Sequence, residues 1–179
     1  MKAPSFPIAV LLVIAPGLAV AQFRALAVAI TVAFLLTIVA HLRAHRRLPW
    51  PEPAPMLGLV LALLGWCAVS AVWSSEGMRA LQSTASLAAL VVLGAMAARA
   101  VGEDTPAALR RLGPALVAGL AIGAALMAFD HASGNAFRLA VRGFPTDLPV
   151  IGFGLKPAVS FLALMLPLVL AAPGVAVLP

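Results

Sequence analysis

The chain has 179 residues, of which 63% are hydrophobic and only 10% are charged, and its formal net charge is +6. Soluble domains carry about a quarter charged residues, so this composition excludes an ordinary soluble protein. The basic residues lie in short loops between apolar runs, where they set membrane orientation and do not indicate a nucleic-acid partner. We therefore predict an all-α, polytopic transmembrane helix bundle with about six membrane helices.

The first apolar run, 6–22, has two interpretations. Lys2 precedes it, Pro16 interrupts it, and the sequence AVA at 19–21 is also typical of a signal-peptide cleavage site. Further apolar runs follow at once, which favours a retained first helix. Either interpretation places Gln22 on the outer side of the membrane.

The second predicted helix, 24–41, ends at the most basic loop of the chain, HLRAHRRLPWPEPAP. The arginines of this loop predict the cytoplasmic side, and its four prolines prevent the helix from continuing. His41 and His45 are four residues apart, so both imidazoles can lie on one helical face. No third ligand of a suitable type is close in sequence, so we predict no metal site and expect both rings to face lipid headgroups.

The third and fourth predicted helices, 56–73 and 78–98, are joined by the sequence WSSEG. Trp73 is predicted at the membrane–water interface. We expect Ser74 or Ser75 to cap the fourth helix and Glu76 to lie in its first turn, where the helix dipole favours an anion.

The start of the fourth predicted helix carries a polar face, formed at spacings of three and four by Arg79, Gln82, Ser83 and Ser86. Polar groups at membrane depth need partners or a wet cavity. One interpretation is hydrogen bonding to a neighbouring helix, and the other is the wall of an externally open cavity.

The fifth predicted helix, 112–129, carries small residues four apart at Ala115, Gly119 and Gly123. Such a face allows another helix to approach closely. Packing within the bundle is favoured over a dedicated dimer interface.

An outer-side loop is predicted at 130–157, before a last helix at 158–176. Arg138 and Arg142 are four apart in a short amphipathic segment, and an anion between them would relieve their repulsion. Guanidinium groups suit phosphate, so a substrate or lipid headgroups satisfy this pattern equally. Lys156 either snorkels to the interface or offers a positive charge to a pyrophosphate.

Basic residues are more numerous in the loops predicted inside than in those predicted outside, so the N-terminus is expected in the cytoplasm. The range 1–179 is predicted to form a single transmembrane domain. No interfacial anchor follows the last helix, a pattern that favours a truncated chain.

The segment LGWCAVSAVWSSEGMRALQSTASLAALVVLGAMA resembles the O-antigen ligase and O-antigen polymerase superfamily of bacterial envelopes. The matching residues are Trp66, Ser70, Trp73 and Ser74, followed by Arg79. The later segment GFGLKPAVSFLALMLPLVL is also similar to the family, with Lys156 at a position where arginine is commoner.

The resemblance implies transfer of a glycan from undecaprenyl-pyrophosphate to the lipid A core or another envelope acceptor, in the bacterial inner membrane and without a metal or nucleotide cofactor. The expected partners are the undecaprenyl-pyrophosphate-linked glycan, the lipid acceptor and membrane lipids. The catalytic histidine of the family is expected beyond residue 179, so no base is assigned. The diphosphate-binding candidates are Lys156, Arg142, Arg138 and Arg79.

Two other functions fit the composition. A fragment of a secondary transporter would have Pro-broken helices, but no inverted repeat or mid-membrane charge is evident. A small non-catalytic membrane scaffold would suit the short length, although the absence of a terminal anchor argues against a finished small protein. On the glycosyltransferase interpretation, Trp66, Ser70, Trp73 and Ser74 shape the floor of an outward-facing site.

Overall fold

The computed structural model describes residues 3–52, 55–143 and 155–171, and the regular structure within these ranges is all helical. A short 3-10 turn, Ala71–Trp73, joins the third and fourth helices. The helices are α1 Phe6–Ala21, α2 Phe23–His45, α3 Pro55–Ser70, α4 Gly77–Gly102, α5 Pro106–Leu109, α6 Leu112–Ala132, α7 Ala136–Arg142 and α8 Leu155–Ala171.

Four helical stretches are long and apolar enough to cross a membrane: Phe23–His45, Pro55–Trp73, Gly77–Gly102 and Pro106–Ala132. Two further apolar helices, Phe6–Ala21 and Ala158–Pro167, are shorter. The prediction of an all-α bundle is confirmed, whereas the prediction of about six membrane helices is not, because only four stretches in the described ranges reach spanning length.

The first helix, α1, lies at the centre of the packing. It runs between α2 and α6 and also contacts α7 and α8. The buried core contains four residues of its inward face, Leu11, Ala15, Ala19 and Val20. The apolar run that also fits a signal peptide is therefore the helix around which the others pack.

The glycines of α6 allow it to lie directly against α1. A Cβ atom at Gly119 would overlap the carbonyl oxygen of Leu12, and one at Gly123 would lie 2.5 Å from the Cβ atom of Pro16. Both glycines are buried. The small-residue face therefore packs within the bundle, as the sequence predicts.

The hairpin formed by α3 and α4 lies at the edge of the bundle. The fourth helix contacts α2, where the Phe34 ring packs over Gly94. The third helix packs mainly against α4, and none of its residues is buried. Most of the hairpin surface is therefore left uncovered by the described part of the chain.

Helix direction separates the loops into two ends of the bundle. The start of α1 and the ends of α2 and α4 meet at one end, which carries Ser5, His41 and Glu103 and is called the Glu103 end. The end of α1, the turn between α3 and α4, and the α6–α7 connection lie at the opposite end. This second end is called the Trp73 end.

Candidate functional site

The two tryptophans of the sequence motif contact each other at the Trp73 end. The rings of Trp66 and Trp73 pack edge to face, with centroids 6.3 Å apart and planes inclined by 64°. Both are about two-thirds exposed, at 64% and 66%. The Ser70 hydroxyl donates to the carbonyl of Cys67 at 2.8 Å, so its hydrogen bond is made within its own helix. The motif thus forms an amphipathic aromatic tip of the kind found at membrane interfaces.

The hydrogen bonds at the start of α4 differ from the predicted serine cap. The Ser74 hydroxyl accepts from the backbone N–H of Glu76 at 3.3 Å, before the helix begins at Gly77. Glu76 itself occupies the N-cap position and makes no side-chain capping bond there. Its carboxylate instead pairs with Arg79, with Oε2 and Nη1 2.7 Å apart. The predicted serine cap is therefore wrong, because the helix starts too late for either serine to reach its first N–H groups.

Gly77 allows α4 to start against the 3-10 turn. A Cβ atom on Gly77 would lie 2.6 Å from the carbonyl oxygen of Ala71, closer than side chains approach backbone oxygen. The tight connection between the two tryptophan-bearing segments and the polar face of α4 therefore requires glycine.

Replacing Gly77 by valine should open this turn, at a cost of about 1–3 kcal/mol for forcing atoms into an occupied space. The contact between Trp66 and Trp73 should weaken, visible as reduced near-ultraviolet circular dichroism of tryptophan. The matched control is Gly102→Val at the other end of α4, where an added Cβ meets nothing within 4 Å. Equal spectral changes in both variants would contradict the role assigned to Gly77.

The polar face of α4 is uncovered. Its four members are all exposed: Arg79, Gln82, Ser83 and Ser86. The Ser86 hydroxyl donates to the Gln82 carbonyl at 2.8 Å, a bond within the helix. Hydrogen bonds from this face to a neighbouring helix are absent among the described residues. The interpretation that remains is a wall that faces a wet cavity or a further helix.

Arg138 is buried inside the fold, where a carboxylate balances its charge. It is 4% exposed, and its Nε donates to Oδ2 of the fully buried Asp130 at 2.5 Å. Its backbone N–H donates to Oδ1 of the same carboxylate at 2.9 Å, and its guanidinium also donates to Asn135. The predicted outward-facing pair of arginines is therefore not formed, because one guanidinium points into the bundle and already has a carboxylate.

A left-handed turn between α6 and α7 produces this arrangement. Gly134 and Asn135 have φ angles of 65° and 71°, which glycine and asparagine adopt most readily. The Asn135 N–H donates to the Asp130 carbonyl at 2.7 Å, so α7 folds back over the end of α6. The Gly-Asn pair was a turn signal, and an acid and a base on either side of it could have indicated the buried ion pair.

Arg142 remains exposed and binds the end of α1. Its Nε donates to the carbonyl oxygen of Ala21 at 3.3 Å, although the two residues are 121 positions apart. Ala21 is the last residue of α1, where free carbonyl groups favour a cation. Arg142 thus has a structural contact and remains exposed as a residue.

Lys156 lies in the first turn of α8, but its side chain is outside the described part of the structure, as are residues 144–154. Its predicted contact with a pyrophosphate stays a prediction. Of the four diphosphate-binding candidates, Arg79 and Arg142 are exposed at the Trp73 end, and Arg138 is buried against Asp130.

A second group of polar residues, not predicted from sequence, lies at the Glu103 end. The Glu103 carboxylate accepts from Arg47 and from Arg99, each at 2.9 Å, and lies 3.5 Å from Nε2 of His41. His41 is fully buried and stacks on His45, with ring centroids 4.4 Å apart. The expectation that both imidazoles face headgroups is therefore wrong for His41.

His41 is buried where α2 packs against the C-terminal part of α4. Small residues of that part of α4, Ala97 and Ala100, are 1% and 0% exposed. Both ring nitrogens of His41 lack a geometrically good hydrogen bond within the described chain. No group of three metal-ligating side chains occurs in the described ranges, so His41 and His45 form a stacked pair without a third ligand.

The charges around Glu103 make the Glu103 end sensitive to acid. Burial raises the pKa of the Glu103 carboxyl, but the hydrogen bond from Arg47 and the charges of Arg47, Arg99 and His41 outweigh it and hold the pKa below its ordinary value. The pKa of Asp104 is also lowered, since the hydrogen bonds from Ser5 and Thr105 outweigh burial. Both carboxylates are therefore favoured in the charged, paired form.

Acid should weaken the contact between α2 and α4. A carboxyl whose pKa is lower in the folded state stabilises it above the unfolded pKa, about 4.3 for glutamate, and loses this contribution as pH falls through the folded pKa. The expected result is reduced thermal stability below about pH 4.3. Glu103→Gln should reduce this acid sensitivity, whereas Glu76→Gln, in an exposed pair, should preserve it. Identical pH profiles for the Glu103→Gln variant and the unchanged protein would contradict this assignment.

No family model matches the chain, and comparison with curated proteins and with solved structures finds no match. The fold and site define an all-helical protein with four helices able to cross a membrane. An aromatic tip, an exposed polar helix face and three exposed arginines, Arg24, Arg79 and Arg142, lie at the Trp73 end of the bundle.

Proposed function

We propose that the protein is part of an O-antigen ligase-like glycosyltransferase, which transfers a glycan from undecaprenyl-pyrophosphate to a lipid A core or another envelope acceptor. The observation that carries this proposal is the exposed polar face of α4, which begins a short turn after the Trp66–Trp73 tip. A polar face on a membrane-spanning helix is costly unless it borders a polar cavity or another polar surface. An externally open cavity would admit a lipid-linked glycan from the outer leaflet.

Arg79 is the residue best placed to hold a diphosphate. It starts the polar face, it is exposed, and its only ion pair among the described residues is with the exposed Glu76. A surface pair of this kind contributes little stability, so a diphosphate can replace the carboxylate at small cost. A guanidinium that binds the diphosphate would stabilise the charge that develops on the leaving group during glycan transfer.

The chemistry also needs a base to activate the acceptor hydroxyl. Among the described histidines, His41 is buried and stacked at the Glu103 end, and His45 lies beside it. His131, near the end of α6, is exposed but has no geometry that singles it out as a base. The base is therefore proposed to come from a part of the enzyme other than the described residues.

The proposal is tested by binding of undecaprenyl diphosphate to the reconstituted protein, and by glycan transfer from the glycosylated carrier to lipid A core. Arg79→Gln should weaken carrier binding about tenfold, the loss expected for one charged hydrogen bond. Arg24→Gln is the matched control, because Arg24 is also an exposed arginine at the Trp73 end. Saturable binding would be expected in the unchanged protein and in Arg24→Gln. Absence of binding, or equal loss in both variants, would reject the proposal.

The same proposal places the Trp73 end outside the cytoplasm and the Glu103 end inside. It is supported by the basic residues at the Glu103 end, where Arg43, Arg46, Arg47, Arg110 and Arg111 are exposed. Cys67 is the only cysteine, so a Cys67→Ser background allows single cysteines to be introduced. In intact cells, an impermeant maleimide should label Ser75→Cys and leave Ala44→Cys unlabelled. The reverse labelling pattern would contradict this orientation and place the Glu103 end outside the cytoplasm.

A membrane scaffold is the second candidate, and the exposure of the α3–α4 hairpin favours it. None of the residues of α3 is buried, so this hairpin offers a long surface to another membrane protein. The two functions differ in the effect of Arg79→Gln. A glycosyltransferase binds the carrier more weakly in that variant, whereas a scaffold binds no carrier in either form.

A further inference from the structure

A long apolar groove runs between α1 and α2. Its cavity volume is about 760 Å³, within the range of small-molecule sites. On α1 its lining extends from Phe6 to Leu18, which corresponds to about 18 Å of helix. The groove thus follows much of the hydrocarbon layer, which is about 30 Å thick.

Alanines on α2 create the floor of this groove. Ala25, Ala29 and Ala33 are four residues apart and line it together, so the two antiparallel helices leave a furrow where larger residues would fill the space. Its rims are exposed apolar side chains, including Val10 on α1 and Val32 on α2. An apolar chain lying in the furrow would cover surface that the described part of the protein leaves open.

One charged side chain, Arg43, lines the groove at its Glu103 end. Arg43 is exposed and has no acidic partner among the described residues. A ligand with an apolar chain and an anionic group at one end therefore matches this groove, because its chain would contact the apolar lining and its anionic group would contact the guanidinium.

The anionic group is expected to come from a different molecule. Every acidic residue in the described ranges already has a partner within the fold. The contacts are Glu52 with Arg99, Glu76 with Arg79, Glu103 with Arg47 and Arg99, Asp130 with Arg138, and Asp104 with the N–H groups of Ser5 and Thr105. A second copy of the chain therefore offers Arg43 no unpaired carboxylate from those ranges, whereas a lipid phosphate is anionic and always present in a membrane.

We propose that the groove between α1 and α2 binds one acyl chain of an anionic phospholipid, with Arg43 contacting the lipid phosphate. The acyl chain lies over the three alanines, and the headgroup rests among the exposed arginines of the Glu103 end. Clustered arginines beside a membrane helix attract anionic headgroups. The phosphate contact of this lipid site is at the opposite end from the proposed glycan site, and the groove includes none of the residues of the polar face of α4, so the two proposals succeed or fail separately.

Native mass spectrometry of the detergent-purified protein tests the proposal, with phosphatidylglycerol and phosphatidylcholine of identical acyl chains as probes. We expect one retained lipid, with phosphatidylglycerol preferred. Arg43→Gln should reduce this preference about fivefold, the equivalent of the roughly 1 kcal/mol contributed by one arginine near an anionic surface. Arg24→Gln, an exposed arginine outside the groove, should retain the preference.

Tryptophan substitutions that fill the groove test the binding of the acyl chain separately from the contact between Arg43 and the phosphate. Val32→Trp should abolish retention of both lipids, and Val28→Trp provides a second variant, since both valines are exposed and line the groove. Leu59→Trp, on the exposed surface of α3, is the matched control and should retain the lipid. Unchanged lipid retention in folded Val32→Trp and Val28→Trp would overturn the proposal. So would a lipid-free dimer that either tryptophan converts to a monomer, because a second copy would then occupy the groove.

Discussion

Replacing Gly119 by leucine is expected to separate α1 from α6 and to disrupt the centre of the bundle. A Cβ atom at this position would overlap the Leu12 carbonyl oxygen, and the nearest atoms all belong to the backbone of α1. A flexible side chain could move aside, but a packed helix cannot. We expect a loss of at least about 3 kcal/mol, at the upper limit of the usual cost of overpacking.

Gly65→Leu is the matched control for Gly119→Leu. Gly65 also lies in a helical stretch long and apolar enough to cross a membrane, Pro55–Trp73, and an added Cβ there meets nothing within 4 Å. Unfolding in sodium dodecyl sulfate, followed by circular dichroism, should show a large loss of stability for Gly119→Leu and little change for Gly65→Leu. Comparable stability of the two variants would mean that α1 and α6 are not in close contact.

Removing the Asp130 carboxylate is expected to have the second large effect. Asp130→Ala leaves the Arg138 guanidinium buried without its carboxylate, and breaking one side of a buried ion pair costs about 3–5 kcal/mol. The backbone N–H of Arg138 also loses its acceptor. The fold between α6 and α7 should open, and Arg142 should move away from the end of α1.

Two further variants test whether the stability loss of Asp130→Ala comes from leaving a buried charge without a partner. Glu76→Ala breaks an exposed ion pair and should cost about 1 kcal/mol or less. The double variant Asp130→Leu with Arg138→Leu should regain much of the lost stability, because an apolar pair can replace a buried ion pair. The denaturant midpoint of unfolding measures the stability of all three variants. If Asp130→Ala were as stable as Glu76→Ala, Arg138 would not be buried against Asp130.

The sequence predicted the helices better than the interactions of their polar residues. Long runs of Ala and Leu between prolines and arginines specified the membrane-crossing stretches, because an apolar run of that length is stable there only as a helix. The four-residue spacing of Gly119 and Gly123 also predicted a close helix contact, which α1 provides. These are properties of a local pattern, and they do not depend on the rest of the fold.

The candidate site was predicted less completely. Trp66, Trp73 and the polar face of α4 could be placed on adjacent helices, because the turn between them is short. The contacts of the arginines could not be predicted from the sequence. Residue spacing identifies which residues share a helical face but not which part of the protein that face contacts. Arg138 and Arg142 differ for this reason, one buried against Asp130 and the other bound to Ala21.

The amino-acid sequence by itself determined that this protein is a bundle of apolar helices, because hydrocarbon-length runs dictate secondary structure locally. Only the tertiary structure decided that α1 is central and that His41 is buried. It also decided that the Glu103 carboxylate joins α2 to α4. Those features depend on contacts between residues far apart in the chain, such as Ser5 with Asp104, which are 99 positions apart. Packing, and not periodicity, brings such residues together.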